Sequence, residues 1–168
     1  DGNGRWAASR GWPRVRGHEE GANAVSKIVR RCGELGVQAL TLYSFSTENW
    51  ERPDDEVDAL MALLASYLTS EAQELMQRKV RFRAIGQLKR LPDMVQSLIR
   101  DLTVLTQSND GLQLTLALSY GGRAELVEAM RQVAERVAAK SLRPEDITES
   151  VIGQHLYTVG IPDPDLVI

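Results

Sequence analysis

The sequence predicts an α/β protein with an open, mostly parallel sheet flanked by helices. Segments with helical periodicity alternate with short apolar segments along the chain, two of those apolar segments carry no charge, and no internal repeat interrupts the order. Strands separated by helices pair in parallel through right-handed crossovers. With 168 residues and no long linker, residues 1–168 are expected to form a single domain.

The first half of the chain supplies two helices and one strand. Apolar residues spaced three and four apart between Gly17 and Gly36 predict a helix. The uncharged segment 37–45 (VQALTLYSF) is typical of a strand that is covered on both faces. Pro53 and the three acidic residues after it begin a helix that continues for about six turns to Met76.

The second half repeats the alternation. Residues 79–86 (KVRFRAIG) alternate polar and apolar, which predicts a strand near a sheet edge, and residues 112–119 (LQLTLALS) predict a further buried strand. Helices are predicted at three places: after Pro92, after Gly122 and over residues 148–157. Asp165–Ile168 is predicted to begin a last strand.

Both ends of the sequence are unusual for this fold. It opens on Asp1-Gly2-Asn3-Gly4 without a preceding apolar strand, and it stops where a strand begins. A strand normally precedes a glycine-rich turn that opens a helix. We therefore expect the domain to be incomplete, with part of its sheet missing.

Composition excludes several classes of function. Lys and Arg (20) against Asp and Glu (23) give a net charge of −3, so no overall positive field attracts nucleic acid. Cys32 is the single cysteine, which excludes an internal disulfide, and the two histidines lie far apart and give no zinc motif. No apolar run reaches about 18 residues and no signal peptide opens the chain, so we expect a cytoplasmic protein without a membrane span.

Three segments lie where ligands bind in such sheets, beyond the carboxyl ends of the strands: residues 1–5, 46–52 and 120–123. In the first, glycines let backbone N–H groups approach a phosphate, although such a string also fits a tight turn. The string matches a dinucleotide fingerprint, but no acidic residue ends the next strand, which excludes NAD. A calcium loop would place Arg5 and Trp12 at ligand positions, which excludes calcium.

A local basic cluster follows this first segment. Four arginines, less Asp1, give the start of the chain a charge of about +3 in an otherwise acidic protein; they are Arg5, Arg10, Arg14 and Arg16, and His18 follows. The cluster suits a diphosphate. A solvated basic face, or an RNA-binding arm with Trp6 and Trp12 as stacking platforms, stays open as an alternative.

The second segment (STENW, 46–50) is unusually polar for the exit of a buried strand, and it offers hydroxyls, an amide and a carboxylate together. Capping of the helix at Pro53 explains part of this, but not Trp50 and Arg52. The following helix carries more apolar surface than one core stripe needs. It fits either a core helix or the wall of an apolar tunnel.

Five stretches together resemble the cis-prenyltransferases: DGNGRWA (1–7), RVRGHEEGA (14–22), LTLYSFSTENWERP (40–53), LALSYGGRAE (116–125) and DPDLVI (163–168). They follow the family's order and spacing along the whole chain. Two family features are absent, namely a strand before DGNGR and the arginine-rich RxxGExRxSNFLxWQ segment that binds isopentenyl diphosphate. Ser119 stands where the family usually has asparagine.

The resemblance implies roles for individual residues. Asp1 would bind Mg²⁺ and help the allylic diphosphate leave, Asn49 would help remove a proton from the incoming isoprene unit, and Arg52 would steady the loop. The diphosphate would be bound by Gly2, Asn3, Gly4, Arg5, Arg14 and His18, with Trp6 beside them, and the same site would include Ser46, Thr47, Glu48 and Trp50. Because the allylic cation must be kept from water, Leu112, Leu114 and the helix 57–76 are expected to wall an apolar tunnel.

The implied enzyme is a Mg²⁺-dependent homodimer that adds isopentenyl diphosphate in cis to farnesyl diphosphate. Its expected product is undecaprenyl diphosphate, delivered to the membrane for cell-wall glycan carriers. A synthase of shorter or longer chains stays an alternative, as does a non-catalytic or truncated member that keeps the fold and binds diphosphate only. A nucleic-acid module fits least.

Overall fold

The computed structural model describes residues 2–168, and the described chain divides into two compact units between Ser119 and Tyr120. The elements of the first unit are α1 (Asn3–Ala8), α2 (Arg14–Glu34), β1 (Ala39–Ser46), α3 (Asp54–Ser70), α4 (Ala72–Gln77), β2 (Arg81–Ile85), α5 (Asp93–Thr106) and β3 (Gln113–Tyr120), whose last residue belongs to the second unit. The second unit contains α6 (Gly122–Ala138) and α7 (Glu149–Gly153).

The described sheet has three strands in the order β1-β3-β2. Strands β2 and β3 are parallel, with Arg81 opposite Gln113 and Ile85 opposite Ala117. The central strand β3 is buried from Leu114 to Ser119, as its uncharged sequence predicts, and β2 lies at an edge, as its alternating sequence predicts. These observations confirm the α/β class with a parallel sheet flanked by helices.

The sequence predicts that strand β1 is covered on both faces, and this prediction is wrong. Phe45 is its single buried residue, and Tyr43 is 62% exposed. The reason is its position at the second edge of the described sheet, where one strand neighbour replaces two. An uncharged sequence therefore does not distinguish a central strand from an apolar edge strand.

The core of the first unit forms where α3 and α5 pack with the sheet, and it includes Leu68, Phe82, Val95 and Leu114, each at most 2% exposed. The long helix predicted up to Met76 is interrupted: α3 ends at Ser70 and α4 begins at Ala72. Helical hydrogen bonds continue across the interruption, since Glu71 N–H donates to Tyr67 at 3.0 Å. The helical path therefore continues from α3 into α4.

The second unit is organised around a buried carboxylate. Glu125 of α6 accepts hydrogen bonds from the Tyr120 hydroxyl and from the Tyr157 backbone N–H, both at 2.6 Å. The helix predicted over residues 148–157 is shorter in the structure, where α7 covers Glu149–Gly153.

The strand predicted at Asp165–Ile168 is not formed, and Val167 in this segment is 82% exposed. An apolar segment becomes a strand only where a neighbouring strand supplies backbone hydrogen bonds. The described chain offers no such neighbour to these residues.

Candidate active site

A cavity of about 600 Å³ lies within the first unit. Its polar wall includes Gly2, Asn3, Gly4, Arg5, Arg14, His18, Ser46, Asn49 and Arg52. Its apolar wall includes Val25, Leu42, Phe45, Leu60, Met61, Leu63, Leu64, Tyr67, Leu116 and Leu118. The volume is within the range of about 300–1,000 Å³ that is usual for small-molecule sites, and the two kinds of wall suit a ligand with an anionic head and an apolar tail.

Close packing of α1 on α2 forms the first part of the polar wall. A Cβ atom at Gly17 of α2 would lie 2.7 Å from the Asn3 carbonyl carbon and 3.0 Å from Ala7 Cβ. Only glycine lets the two helices approach this closely. Before α1, Gly2 adopts φ +90°, a left-handed conformation that costs other residues about 1–2 kcal/mol. Gly2, Asn3, Gly4 and Arg5 all line the cavity. The first N–H groups of a helix have no carbonyl partner in a preceding turn.

Glu56, in the first turn of α3, holds the side chains of this wall together. Its carboxylate lies 2.9 Å from Arg52 Nη1, 3.4 Å from Arg14 Nε and 3.6 Å from His18 Nε2. The Glu56 side chain is 13% exposed, so solvent screens these contacts only partly. The sequence does not predict this role of Glu56, because acidic residues are common at helix starts and no sequence signal separates it from its acidic neighbours.

These contacts shift the pKa values of His18 and Glu56. Burial lowers the pKa of His18 below its ordinary 6.5, and the Arg52 cation lowers it further against the opposing effect of Glu56. Burial would raise the pKa of Glu56, but the Arg14 and Arg52 guanidinium groups outweigh burial and hold this pKa below the usual 4.5. At neutral pH the wall therefore combines a neutral imidazole with an ionised carboxylate.

The His18 ring also presents an unsatisfied polar atom. Its Nε2 is buried and makes no hydrogen bond within residues 2–168, because the 3.6 Å contact with Glu56 is too long. A buried polar atom without a partner is costly, and a ligand that hydrogen-bonds to it recovers that cost. This atom favours occupation of the polar wall by a polar ligand group.

The loop after β1 forms the second part of the polar wall. The Ser46 N–H donates to Asn49 Oδ1 at 3.1 Å, and the Asn49 N–H donates to the Ser46 side chain, which together make a capping box for the 3₁₀ turn Thr47–Glu51. The turn fixes the Asn49 amide at the cavity wall. Arg52, at the end of the turn, reaches Glu56 and so ties the loop to α3.

Trp50 anchors this loop in the core. Its indole contacts Phe45 edge to face at 4.9 Å between ring centroids, and its Nε1–H donates to Ser119 Oγ at 2.9 Å. The Arg90 guanidinium lies 5.2 Å from the Trp50 ring centroid. Ser119 is fully buried with φ +48°, in the left-handed region. The bond therefore connects the loop to the carboxyl end of β3.

The profile of the family described as putative undecaprenyl diphosphate synthase matches residues 1–168 of the chain. The chain belongs to the undecaprenyl diphosphate synthase family. It is 48% identical to the isoprenyl transferase of Clostridium perfringens over all 168 residues, which span 66% of that relative. It is 43% identical to the farnesyl-diphosphate-specific ditrans,polycis-undecaprenyl-diphosphate synthase of Micrococcus luteus, of which it spans 68%.

Two solved structures show the same fold. The lavandulyl diphosphate synthase of Lavandula x intermedia, determined in complex with dimethylallyl diphosphate, has a TM-score of 0.92 at 40% identity over 95% of this chain and 68% of its own. A probable undecaprenyl diphosphate synthase of Campylobacter jejuni has a TM-score of 0.70 at 37% identity, over 82% of this chain and 63% of its own. The family that the sequence motifs indicated is thereby confirmed.

The undecaprenyl diphosphate synthase fold brings most of the predicted site residues to one cavity. Nine of them line it: Gly2, Asn3, Gly4, Arg5, Arg14, His18, Ser46, Asn49 and Arg52. Four others do not: Trp6 lies beside Trp12, Trp50 packs in the core, and Thr47 and Glu48 lie in the 3₁₀ turn. Asp1 is outside the described residues, and the segment 120–123 belongs to the second unit.

The tunnel wall also differs in part from its prediction. All four leucines are core residues, but Leu112, just before β3, and Leu114 do not line the cavity, whereas Leu116 and Leu118 do. The helix predicted as a wall contributes five residues from α3 and none from α4: Leu60, Met61, Leu63, Leu64 and Tyr67. Burial raises the pKa of Tyr67 to about 12, so its hydroxyl stays neutral in this wall.

The resemblance implies a magnesium ion, and the described residues were compared with what that ion needs. Among residues 2–168, no three His, Cys, Asp or Glu side chains come together as a metal cage. Magnesium is usually held by one or two carboxylates and by substrate phosphates, and needs no such cage. The carboxylate that the resemblance assigns to magnesium, Asp1, directly precedes the polar wall in sequence.

No helix in the described part of the chain has the length and apolarity needed to cross a bilayer.

We expect His18 to make stability depend on pH between neutrality and moderate acidity. Because burial lowers the folded-state pKa of His18, the unfolded chain binds a proton first as pH falls through about 6.5. The free energy of unfolding should therefore be highest above pH 7 and fall on acidification. A separate loss from Glu56 should follow below 4.5.

Urea denaturation between about pH 3 and pH 8 measures both effects, with His18→Gln as the comparison. In His18→Gln the free energy of unfolding should no longer fall near pH 6.5. The further fall below pH 4.5 that is assigned to Glu56 should remain. An unchanged slope in His18→Gln would contradict the assignment.

We expect the Trp50–Ser119 hydrogen bond to contribute about 1 kcal/mol to stability. A double-mutant cycle with Trp50→Phe and Ser119→Ala isolates it, because phenylalanine keeps the aromatic contact with Phe45 and removes the Nε1–H donor. Free energies of unfolding from urea titration should show a coupling of about 1 kcal/mol. Strict additivity would mean that the indole is held by packing alone.

Proposed function

We propose that the chain forms the allylic-diphosphate site and tunnel of a Mg²⁺-dependent cis-prenyltransferase. In this proposal, isopentenyl diphosphate units condense in cis onto farnesyl diphosphate to give a long-chain polyprenyl diphosphate, undecaprenyl diphosphate. The observation that carries the proposal is the cavity, in which one wall presents cations and backbone donors while the other is apolar. The names of the curated relatives agree with it.

The polar wall suits the departure of a diphosphate. Ionisation of an allylic diphosphate places negative charge on the leaving oxygens, so donors that are already in position lower the barrier. Arg14, the N–H groups that follow Gly2 and the unpaired His18 Nε2 lie on the same wall. Glu56 contributes by holding Arg14 and Arg52 in place.

Asp1 would hold Mg²⁺ together with the diphosphate, and the ion would neutralise charge on the leaving group. The apolar wall would exclude water from the allylic cation. Leu60 and Leu64 of α3 face the cavity together with Leu116 and Leu118 of β3, so a hydrocarbon chain would meet apolar side chains on both sides. The neutral Tyr67 hydroxyl would not attract a counter-ion into this part of the cavity.

Asn49 would act on the second substrate. Its Oδ1 accepts one hydrogen bond from the Ser46 N–H, which fixes the amide plane. The Nδ2 donors and the second lone pair of Oδ1 stay available for isopentenyl diphosphate or for the proton that it loses.

The test is incorporation of radiolabelled isopentenyl diphosphate with farnesyl diphosphate as primer, with and without Mg²⁺. It should be run on the 168-residue chain and on a chain extended to the relatives' length, because the present chain spans about two thirds of them. Mg²⁺-dependent polyprenyl product from the extended chain supports the proposal, and chromatography of the product gives its length.

Titration calorimetry with inorganic pyrophosphate separates binding from turnover. Pyrophosphate binding without any product from the extended chain would favour a non-catalytic member that keeps the fold. Absence of both would contradict the assignment of the cavity to a diphosphate.

A further inference from the structure

A surface group of two tryptophans and two arginines is not explained by the diphosphate site. We call it the outer patch, and it consists of Trp6, Arg10, Trp12 and Arg16. The two indoles meet edge to face at 5.6 Å between ring centroids. The Arg10 guanidinium lies 4.2 Å from the Trp6 centroid, and the Arg16 guanidinium lies 4.1 Å from the Trp12 centroid.

The charges of the outer patch are not neutralised by the protein. Arg10 and Arg16 are exposed, and neither forms an ion pair with any residue in the part of the chain that the structure describes. Arg14 lies between them in sequence and does pair, with Glu56. In a chain of net charge −3, the patch is a local excess of positive charge.

The stacking geometry argues against a nucleic acid. Binding of single-stranded RNA by tryptophan requires an open ring face on which a base can stack. Here a guanidinium occupies one face of each ring, and the indole edge contact takes further area. Trp6 is 39% exposed. What the patch offers to a partner is two partly exposed indoles and two exposed guanidinium groups.

Neighbouring indoles and arginines on a protein surface are typical of proteins that bind to a membrane surface. Tryptophan partitions to the headgroup region, where one end of the ring is apolar and the N–H is wet. Arginine pairs with lipid phosphates.

We propose that the outer patch docks this protein onto the surface of an anionic phospholipid bilayer. The occupant is the lipid surface itself, because the patch supplies unpaired cations for its charge and indoles for its headgroup layer. The patch continues from the cavity wall, since α1 carries Asn3 to Arg5 on the cavity and Trp6 at its exposed side. If the proposed function holds, docking would place the cavity where an apolar-tailed diphosphate partitions.

The test measures binding of the 168-residue chain to sucrose-loaded vesicles by sedimentation. Vesicles of phosphatidylcholine with phosphatidylglycerol should bind the chain, with an affinity that falls as salt is raised, and vesicles of phosphatidylcholine alone should bind it much less. The double variant Arg10→Ala/Arg16→Ala should bind about 25-fold more weakly, at about fivefold for each cation near the surface. Trp12→Ala should weaken binding several-fold.

The matched control is Lys27→Ala/Arg100→Ala, which removes the same charge from exposed positions outside the patch and should change binding less than twofold. Circular dichroism of each variant checks folding. Equal loss in patch and control variants would overturn the proposal, as would preference for RNA over vesicles that depends on Arg10 and Arg16. Patch-dependent dimerisation without vesicle binding would also overturn it. No arm of the test needs turnover, so its failure is distinct from failure of the proposed function.

Discussion

Replacing Asp1 with alanine should lower turnover about 10³-fold or more while farnesyl diphosphate still binds. Asp1 is the carboxylate next to the polar wall in sequence, and the proposal gives it the metal that neutralises the leaving group. Removal of a single preorganised group that stabilises developing charge already costs about 10²–10³ in turnover, and here the metal would be lost with it. The arginines and backbone donors that bind the ground-state diphosphate would remain.

The measurement is steady-state kinetics of isopentenyl diphosphate incorporation by the extended chain, with a Mg²⁺ titration. Asp110→Ala is the control, because this carboxylate is 77% exposed and makes only a 3.9 Å contact with Lys79. A variant with normal turnover and a raised KM would assign Asp1 to substrate binding instead.

Replacing Gly17 with alanine should lower the affinity for inorganic pyrophosphate about 100-fold and destabilise the protein by about 2 kcal/mol. The added Cβ would overlap the Asn3 backbone and press on Ala7, so α1 must move away from α2. Movement of α1 displaces the first-turn N–H groups and Arg5 together, which removes one part of the polar wall.

Gly33→Ala on the same helix is the matched control, because its Cβ would meet nothing within 4 Å. That variant should keep pyrophosphate affinity and gain up to about 1 kcal/mol of stability from higher helix propensity. Calorimetry and urea denaturation measure both quantities. If Gly17→Ala bound pyrophosphate as tightly as Gly33→Ala does, α1 would not belong to the binding site.

The candidate site shows where sequence reasoning succeeds and where it stops. The rule that ligands bind beyond the carboxyl ends of parallel strands predicted that the loop after β1 would lie beside the first glycine segment, and both line one cavity. The role of Glu56 could not be predicted in this way. The Glu56 carboxylate is contacted by Arg14 and His18 of α2 and by Arg52 at the end of the loop. Distances between such separate segments cannot be obtained from one sequence.

The sequence by itself determined the α/β class and the family, because periodicity and ordered motifs are properties of the chain alone. Only the tertiary structure decided which residues face the cavity. The period of two along β3 places Leu114, Leu116 and Leu118, with Leu112 just before the strand, on one face. It does not say which of them border an open space. All four leucines belong to the hydrophobic core, but only Leu116 and Leu118 also line the cavity, because the cavity borders the carboxyl half of β3.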